Sequence, residues 1–295
     1  MRWRGDKQSK NIDDRTGSSG GSLPSGNLIK GGGIGTIIVL ALVFLFSGGD
    51  LSSVLSTLSP SNDMPTVAQP QSEEMVERKE FVSVVFAHLE DFWGTEFAEA
   101  GKSYQQPTMV FFSGNVQTAC GPATSAVGPF YCPGDQDVYL DLSFMDELAT
   151  DFDASGDFAM AYVVAHEVGH HVQQQLGVSK QVQALRSKLS EKEYNQYQVR
   201  MELQADYYAG AWAKYIEGQT FEGQPILEIG DIDEALVAAN SIGDDTLQMK
   251  AQGYVVPERY THGTSQQRKN WFARGYQYGD FQHGDTFNAQ DLDLK

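Results

Sequence analysis

The stretch "AHEVGHH" at residues 165–171 places two histidines four positions apart, with a glutamate directly after the first. The surrounding pattern predicts a helix from about residue 157 to residue 176. Residues four apart share one face of a helix, so the rings of His166 and His170 can reach the same ion. The competing interpretation is the solvated face of an ordinary helix.

These residue types suit a zinc site with hydrolytic chemistry. Neutral imidazole is a common ligand of Zn²⁺, and a catalytic zinc ion keeps three protein ligands and one position for water. Glu167, directly after the first histidine, can lie beside that water and accept its proton. The pattern His-Glu-x-x-His on a helix is therefore a specific signal for a zinc hydrolase.

The third ligand must come from another segment. One extended zinc motif continues with glycine three residues after the second histidine and with histidine three residues later, but Gln173 and Leu176 occupy those positions. The segment "MELQADYYAGAW" (201–212) offers Glu202 and Asp206 on one helical face. We expect Glu202 to complete the coordination and Asp206 to accept a hydrogen bond from a ligand histidine. The alternative is that both are surface acids.

The pattern of apolar and capping residues predicts an α+β fold in which helices predominate. Two capping boxes, Ser190 with Glu193 and Thr264 with Gln267, mark helix starts. Strands are expected at 107–114 and 138–144, and further helices begin at about Glu73, Ser190, Asp231 and Thr264.

Several motifs occur together in this chain: "HEVGHH", "ELQAD" (202–206), "GPFYCP" (128–133) and "THGTSQQR" (261–268). With the basic "MRW" start and one apolar segment, they resemble the bacterial family called "Putative neutral zinc metallopeptidase", and more broadly the gluzincin peptidases. The resemblance implies a zincin-like domain with a small sheet, bound Zn²⁺ and a peptide or protein substrate.

The resemblance also implies roles for later residues. His262 is expected to face the oxyanion that develops in the transition state, although it could instead cap the following helix. Arg268 could pair with an acid near the site, such as Asp206, or lie at the surface. A substrate strand is expected to bind beside the metal, in the region 123–142.

Residues 31–49 contain no charged side chain, and "IGTIIVLALVFLF" (34–46) is almost wholly apolar. Nineteen helical residues span about 28 Å, close to the hydrocarbon thickness of a bilayer. Residues 1–30 contain six basic and three acidic residues and therefore carry a net charge of +3. Because the whole chain has a net charge of −18, the remaining residues carry −21. The excess of Lys and Arg before the segment predicts a cytoplasmic N-terminus. A cleaved signal peptide is the alternative.

Composition divides the chain into four parts. We expect a disordered cytoplasmic tail at 1–30, a transmembrane anchor at 31–49, a flexible linker at 50–72 and a zinc metallopeptidase domain at 73–295. The protein would then be a single-pass protein of the bacterial inner membrane with a periplasmic catalytic domain. Its net charge of −18 disfavours nucleic acid as a partner.

The chain has two cysteines, Cys120 and Cys132. If the domain is exported, a disulfide between them is expected, whereas two unpaired thiols are the alternative.

The leading functional interpretation is a membrane-anchored zinc metallopeptidase. The rival is a zinc-stabilised periplasmic module that binds a partner without cutting it. Hydrolysis of a non-peptide amide is a third possibility.

Overall fold

A computed structural model describes residues 1–17 and 72–294, and about half of these residues are in α-helices. The longest helices coincide with the segments that the sequence predicts, and both predicted capping boxes form. Short helices after residues 143, 177 and 243 were not predicted. The helices are α1 Glu73–Glu99, α2 Phe144–Thr150, α3 Asp157–Gln175, α4 Val178–Gln183, α5 Glu191–Glu217, α6 Asp231–Ser241, α7 Asp244–Gln252 and α8 Ser265–Tyr278.

The main sheet has four strands in the order β1-β2-β6-β5. β1 pairs with β2 and β2 pairs with β6 in parallel, whereas β5 is antiparallel to β6 and lies at the sheet edge. The remaining strands form two hairpins, β3–β4 and β7–β8. Small sheets beside a larger number of helical residues confirm the predicted helix-rich α+β class. The strands are β1 Ile12–Asp14, β2 Met109–Phe112, β3 Asn115–Thr118, β4 Gly121–Thr124, β5 Phe130–Cys132, β6 Asp137–Asp141, β7 Thr220–Phe221 and β8 Gln224–Pro225.

Helix α3 lies at the centre of the core and packs against α1, α5 and α6. Its side chains are buried on nearly every face, which is typical of a helix surrounded by others. Phe158, near its start, stacks on Trp212 of α5, and both rings are fully buried. The predicted metal helix is therefore held rigidly on several sides.

Glycines allow the helices around α3 to approach closely. A Cβ atom on Gly275 of α8 would lie 2.0 Å from the carbonyl oxygen of Tyr207 on α5. A Cβ atom on Gly169 of α3 would lie 3.2 Å from the Cα atom of Ala205, also on α5. These contacts bring α3, α5 and α8 together where the candidate site lies.

Residues 1–17 belong to the same folded unit. Met1 and Trp3 are buried in the core, and β1 forms the edge of the main sheet opposite β5. The sequence predicts a disordered tail over residues 1–30, but its first 17 residues are ordered because they pair with β2 and bury apolar side chains. Residues 18–30 of that tail lie outside the described residues.

No helix within residues 1–17 and 72–294 is long and apolar enough to cross a bilayer. The predicted anchor, residues 31–49, falls outside these ranges, as does the predicted linker except for Ser72.

Candidate metal centre

Three side chains converge between α3 and α5. His166 Nε2 lies 3.2 Å from one carboxylate oxygen of Glu202, and His170 Nε2 lies 3.5 Å from the other. The three candidate ligand atoms lie within 4.8 Å of one another. The histidines come from adjacent turns of α3, and the close approach of Gly169 to Ala205 brings in the third side chain from α5. The structure thus brings together the residues that the sequence predicts as ligands.

Asp206 lies behind the first histidine and is completely buried. Its Oδ1 atom accepts hydrogen bonds from His166 Nδ1 at 2.8 Å and from the Tyr162 hydroxyl at 2.6 Å. Arg268 contacts both oxygens, with Nε 2.8 Å from Oδ2 and Nη2 2.9 Å from Oδ1. Burial alone would raise the pKa of Asp206, but the charges of Arg268 and His166 lower it to about 2. Asp206 is therefore an ionised acceptor that fixes the His166 ring.

The second histidine has a comparable acceptor. His170 Nδ1 lies 2.9 Å from the side-chain oxygen of Gln173, whose amide nitrogen donates to the Met201 carbonyl at 2.8 Å and to Gln204 at 3.1 Å. From the sequence, Gln173 is recognised only as a position that breaks the extended motif. Its spacing of three residues from His170, on the same helical face, was the available signal.

The donor set fits a cation. If each histidine donates its Nδ1 hydrogen to the acceptor behind it, both Nε2 lone pairs face the Glu202 carboxylate. Three electron-rich groups in one buried place need a cation or a proton between them. Two imidazoles and one carboxylate match the protein ligands of known catalytic zinc sites.

In the metal-free protein, protons on the histidines balance the negative charge of the Glu202 carboxylate. Burial alone would lower the pKa of His170, but the charge of Glu202 and a hydrogen bond with it raise the pKa to about 9. The pKa of His166 is also raised, because Asp206 and Glu202 outweigh the effect of burial. The pKa of Glu202 lies well below its usual value, since neighbouring histidines outweigh its desolvation.

Glu167 lies next to this cluster, on the following position of α3. Burial raises the pKa of its carboxyl group, and the charges of His170 and His166 partly oppose that rise. The backbone N–H of Tyr131 also interacts with the carboxylate. Because Tyr131 lies in β5, Glu167 stands between the candidate ligands and the edge of the sheet.

His262 is held by Asp244, the first residue of α7. One Asp244 oxygen accepts the backbone N–H groups of residues 261–263 at 2.6–3.0 Å, and the other lies 3.2 Å from His262 Nδ1. Burial lowers the pKa of His262, but the nearby charge of Glu202 and the contact with Asp244 raise it overall. His262 thus lies within electrostatic reach of the cluster, and the sequence interpretation missed Asp244.

His171, the residue after the second candidate ligand, faces away from the cluster. Its Nε2 atom lies 2.6 Å from the Gln105 carbonyl and its Nδ1 atom lies 3.1 Å from the Tyr131 hydroxyl. The geometry therefore has Nε2–H donating to the carbonyl and the tyrosine donating to Nδ1. His171 connects α3 directly to β5.

Cys120 and Cys132 are joined by a disulfide. Cys132 ends β5, and Cys120 lies in the turn between β3 and β4. The bond therefore connects the β3–β4 hairpin to the strand beside Glu167.

A second acidic group in the described residues, Asp157, Asp231 and Glu234, could also hold a cation. The amino group of Met1 lies 2.7 Å from Asp157 and 3.3 Å from Asp231. This group therefore already has a positive partner and offers no histidine.

Comparison with known proteins adds independent information. A family model described as "Putative neutral zinc metallopeptidase" matches residues 1–287. "Uncharacterized protein YpfJ" from Escherichia coli strain K12 is 46% identical over 295 residues, which cover 97% of this chain and 99% of the relative. "Uncharacterized protein Rv2575" from Mycobacterium tuberculosis is 49% identical over 195 residues, which cover 64% of this chain and 65% of the relative. No solved structure matches this chain.

The family match spans nearly the whole chain, including the segments that carry His166, Glu202 and His262. The relative from Escherichia coli is similar over almost its full length. The chain therefore belongs to the family described as "Putative neutral zinc metallopeptidase".

Proposed function

We propose that this protein is a zinc-dependent peptidase. One observation carries the proposal: His166, His170 and Glu202 converge within 4.8 Å, and Glu167 follows the first of them on the same helix. A half-buried carboxylate that is not needed as a ligand suits a proton acceptor. A purely structural zinc site would usually be closed by a fourth protein ligand.

In the proposed mechanism, His166, His170 and Glu202 would hold Zn²⁺. When bound, the ion would polarise the substrate carbonyl and make a water molecule more acidic. Glu167 accepts the proton of the attacking water and then delivers it to the leaving amine nitrogen. Its burial raises its pKa, which makes it a stronger base than an exposed carboxylate.

His262 is proposed to stabilise the oxyanion. Asp244 contacts its Nδ1 atom, which leaves Nε2 as the nitrogen available to donate a hydrogen bond. The raised pKa favours the protonated, donating form. Removal of such a donor typically costs about 2.7–4 kcal/mol of transition-state stabilisation.

We place the substrate backbone along β5. This strand lies at the sheet edge, pairs with β6 on one side, and lies beside α3. Val138, opposite Tyr131 on β6, donates its N–H to Thr108 on the β2 side, so the Tyr131 N–H that interacts with Glu167 lies on the side of β5 away from β6. An added strand would pair on that side. A peptide paired there would carry its scissile bond past Glu167. Tyr131 is also held to α3 through His171, which fixes the distance between the two elements.

We also propose that the protein is attached to the membrane through residues 31–49, with the catalytic fold outside the cytoplasm. The uncharged length of that segment supports attachment. The disulfide between Cys120 and Cys132 favours an oxidising compartment.

The test compares the full-length protein with a Glu167→Gln variant. Both should bind one equivalent of zinc by elemental analysis, because Glu167 is not among the proposed ligands. Mass spectrometry measures the rate at which each protein cleaves a peptide library. The variant should cleave about 10²–10⁴-fold more slowly than the parent, since it lacks the proton acceptor. Glu99→Gln, which changes an exposed glutamate at the end of α1, is the matched control and should behave like the parent.

Three results would contradict the proposal. If zinc binds but the parent cleaves no peptide, a non-catalytic binding module becomes the better interpretation. If Glu167→Gln cleaves peptides as fast as the parent, the assigned base is wrong. Cleavage confined to cell-wall fragments would identify a non-peptide amidase that uses the same residues.

A further inference from the structure

The first 17 residues are built into the fold by backbone hydrogen bonds. β1 pairs with β2, and this pairing extends on both sides: the Met109 N–H donates to the Asn11 carbonyl at 2.9 Å, and the Arg15 N–H donates to the Phe111 carbonyl at 2.8 Å. Nearer the start of the chain, the Ser9 N–H donates to the Ser83 carbonyl at 2.9 Å. These contacts span the length of the segment.

Buried side chains of residues 1–17 and of α1 depend on the contact between these two segments. Trp3 is 6% exposed, and its ring packs edge-on against Phe81 of α1 with centroids 5.5 Å apart. Glu90 of α1 is 8% exposed, and its carboxylate accepts hydrogen bonds at 2.7 Å from Ser9 and from Asn11. Without residues 1–17, Glu90 would lose these partners and an apolar ring would face water.

Three of the five basic side chains of this segment, those of Arg2, Arg4 and Lys7, have acidic partners on the rest of the fold. Lys7 pairs with Asp91 of α1 at 2.7 Å, and Arg2 pairs with Glu228 at 3.4 Å. The excess of positive charge before the apolar segment predicts a cytoplasmic N-terminus from sequence. In the structure, basic residues of this segment pair with acidic residues of the same fold. This pairing is a second explanation for the positive charge at the start of the chain.

We infer that residues 1–17 and residues 72–294 lie on the same side of the membrane. A single crossing between residues 18 and 71 would separate β1 from β2 and Trp3 from Phe81. The contacts described above then could not form. The inference replaces the expected orientation, in which the N-terminus is cytoplasmic and the catalytic domain periplasmic. It does not depend on the proposed catalytic activity.

The test uses the full-length protein in intact cells. Single cysteines introduced by Lys10→Cys and by Lys188→Cys, two exposed positions, report the sides of the two segments. The native cysteines are paired and should not react. A membrane-impermeant maleimide should label both variants to the same extent before lysis. Labelling after lysis gives the maximum extent of labelling for each variant.

Labelling of one position but not the other would overturn the inference. If both positions react, the two segments share the outer side. If both are protected until lysis, they share the cytoplasmic side, which supports the inference and contradicts the proposed export of the catalytic fold.

A second measurement tests the docking itself. Trp3→Ala in the full-length protein should lower the unfolding temperature by about 10 °C, because it removes a buried ring. Tyr254→Ala, which changes an exposed aromatic residue, is the control and should leave the temperature unchanged. Equal unfolding temperatures for all three proteins would contradict the docking of residues 1–17.

Discussion

At the scale of single residues, the site is organised by hydrogen bonds behind the candidate ligands. Asp206 fixes His166, and Gln173 fixes His170, so that each ring presents Nε2 to the same place. Such acceptors orient ligand histidines and increase their basicity. Their different chemistry, a charged carboxylate and a neutral amide, means that the two histidines are not equivalent.

The raised pKa of His170 predicts that zinc binding is coupled to protons. With a pKa of about 9, His170 is protonated in the metal-free protein at pH 7.5, whereas a zinc ligand must be neutral. Zinc binding at pH 7.5 should therefore release at least one proton, because the pKa of His166 is also raised, and the affinity should rise with pH up to about pH 9. Calorimetric titration in two buffers with different ionisation enthalpies measures this number.

The same shift determines how stability depends on pH. A pKa raised from about 6.5 in the unfolded chain stabilises the metal-free protein below pH 6.5, and this contribution is lost as the pH rises to about 9. The difference in free energy of unfolding between zinc-loaded and metal-free protein should widen over that range. His171→Gln, which changes a buried histidine that is not a candidate ligand, should release the same number of protons. An affinity that does not vary with pH would refute the coupling.

At the scale of elements, the distance between α3 and α5 sets the site geometry. Gly169 and Ala205 are in tight contact where the helices cross, and Glu202 lies one turn before Ala205. The candidate ligands therefore come from two helices whose spacing is fixed by a small residue. A similar contact at Gly275 holds α8, which carries Arg268, against α5.

Gly169→Ala should weaken zinc binding. The new Cβ atom would lie 3.2 Å from backbone atoms of Ala205, so α5 must move by a few tenths of an ångström. We expect about a tenfold loss of zinc affinity and about 1–2 kcal/mol of lost stability, since overpacking outweighs the better helix propensity of alanine. Competition with a fluorescent chelator measures the affinity, and chemical denaturation measures the stability.

Gly94→Ala is the matched control, because it lies in α1 with nothing within 4 Å of its Cβ position. It should stabilise the protein by up to about 1 kcal/mol and leave zinc binding unchanged. If Gly169→Ala behaves like Gly94→Ala, helix spacing does not control the site.

At the scale of the whole molecule, the two edges of the main sheet lie in different surroundings. β1, from the start of the chain, forms one edge of the sheet. β5 forms the other edge, which lies beside the candidate metal centre. The disulfide holds the end of β5 to the β3–β4 hairpin. The candidate peptide-binding edge is thus supported by a covalent bond, by His171 and by β6.

Replacing both cysteines should loosen this edge. Cys120→Ser/Cys132→Ser should lower the free energy of unfolding by about 3 kcal/mol, because the unfolded chain regains the freedom of the closed loop. The Michaelis constant for peptide cleavage should rise while zinc affinity stays unchanged, since no proposed ligand lies in β5. Thiol-treated parent protein should reproduce both effects. A variant that matches the untreated parent in stability would show that the bond contributes nothing.

The sequence by itself determined the parts that follow local rules. Helical spacing predicted that His166 and His170 would share a face, and that Glu202 and Asp206 would do so on a second helix. Capping chemistry located two helix starts to within one residue. The same local patterns gave the helix-rich α+β class, because burial of one helical face leaves a periodic trace in the sequence.

Only the tertiary structure decided which distant groups meet. Gln173 as the acceptor for His170, Asp244 as the partner of His262, and Asp206 as the partner of Arg268 depend on packing between segments. Local composition predicted a disordered N-terminal tail, since it could not reveal that β1 pairs with β2 or that Glu90 accepts a hydrogen bond from Ser9. Pairing between distant residues is set by which buried groups satisfy one another in the folded chain, and no local periodicity records it.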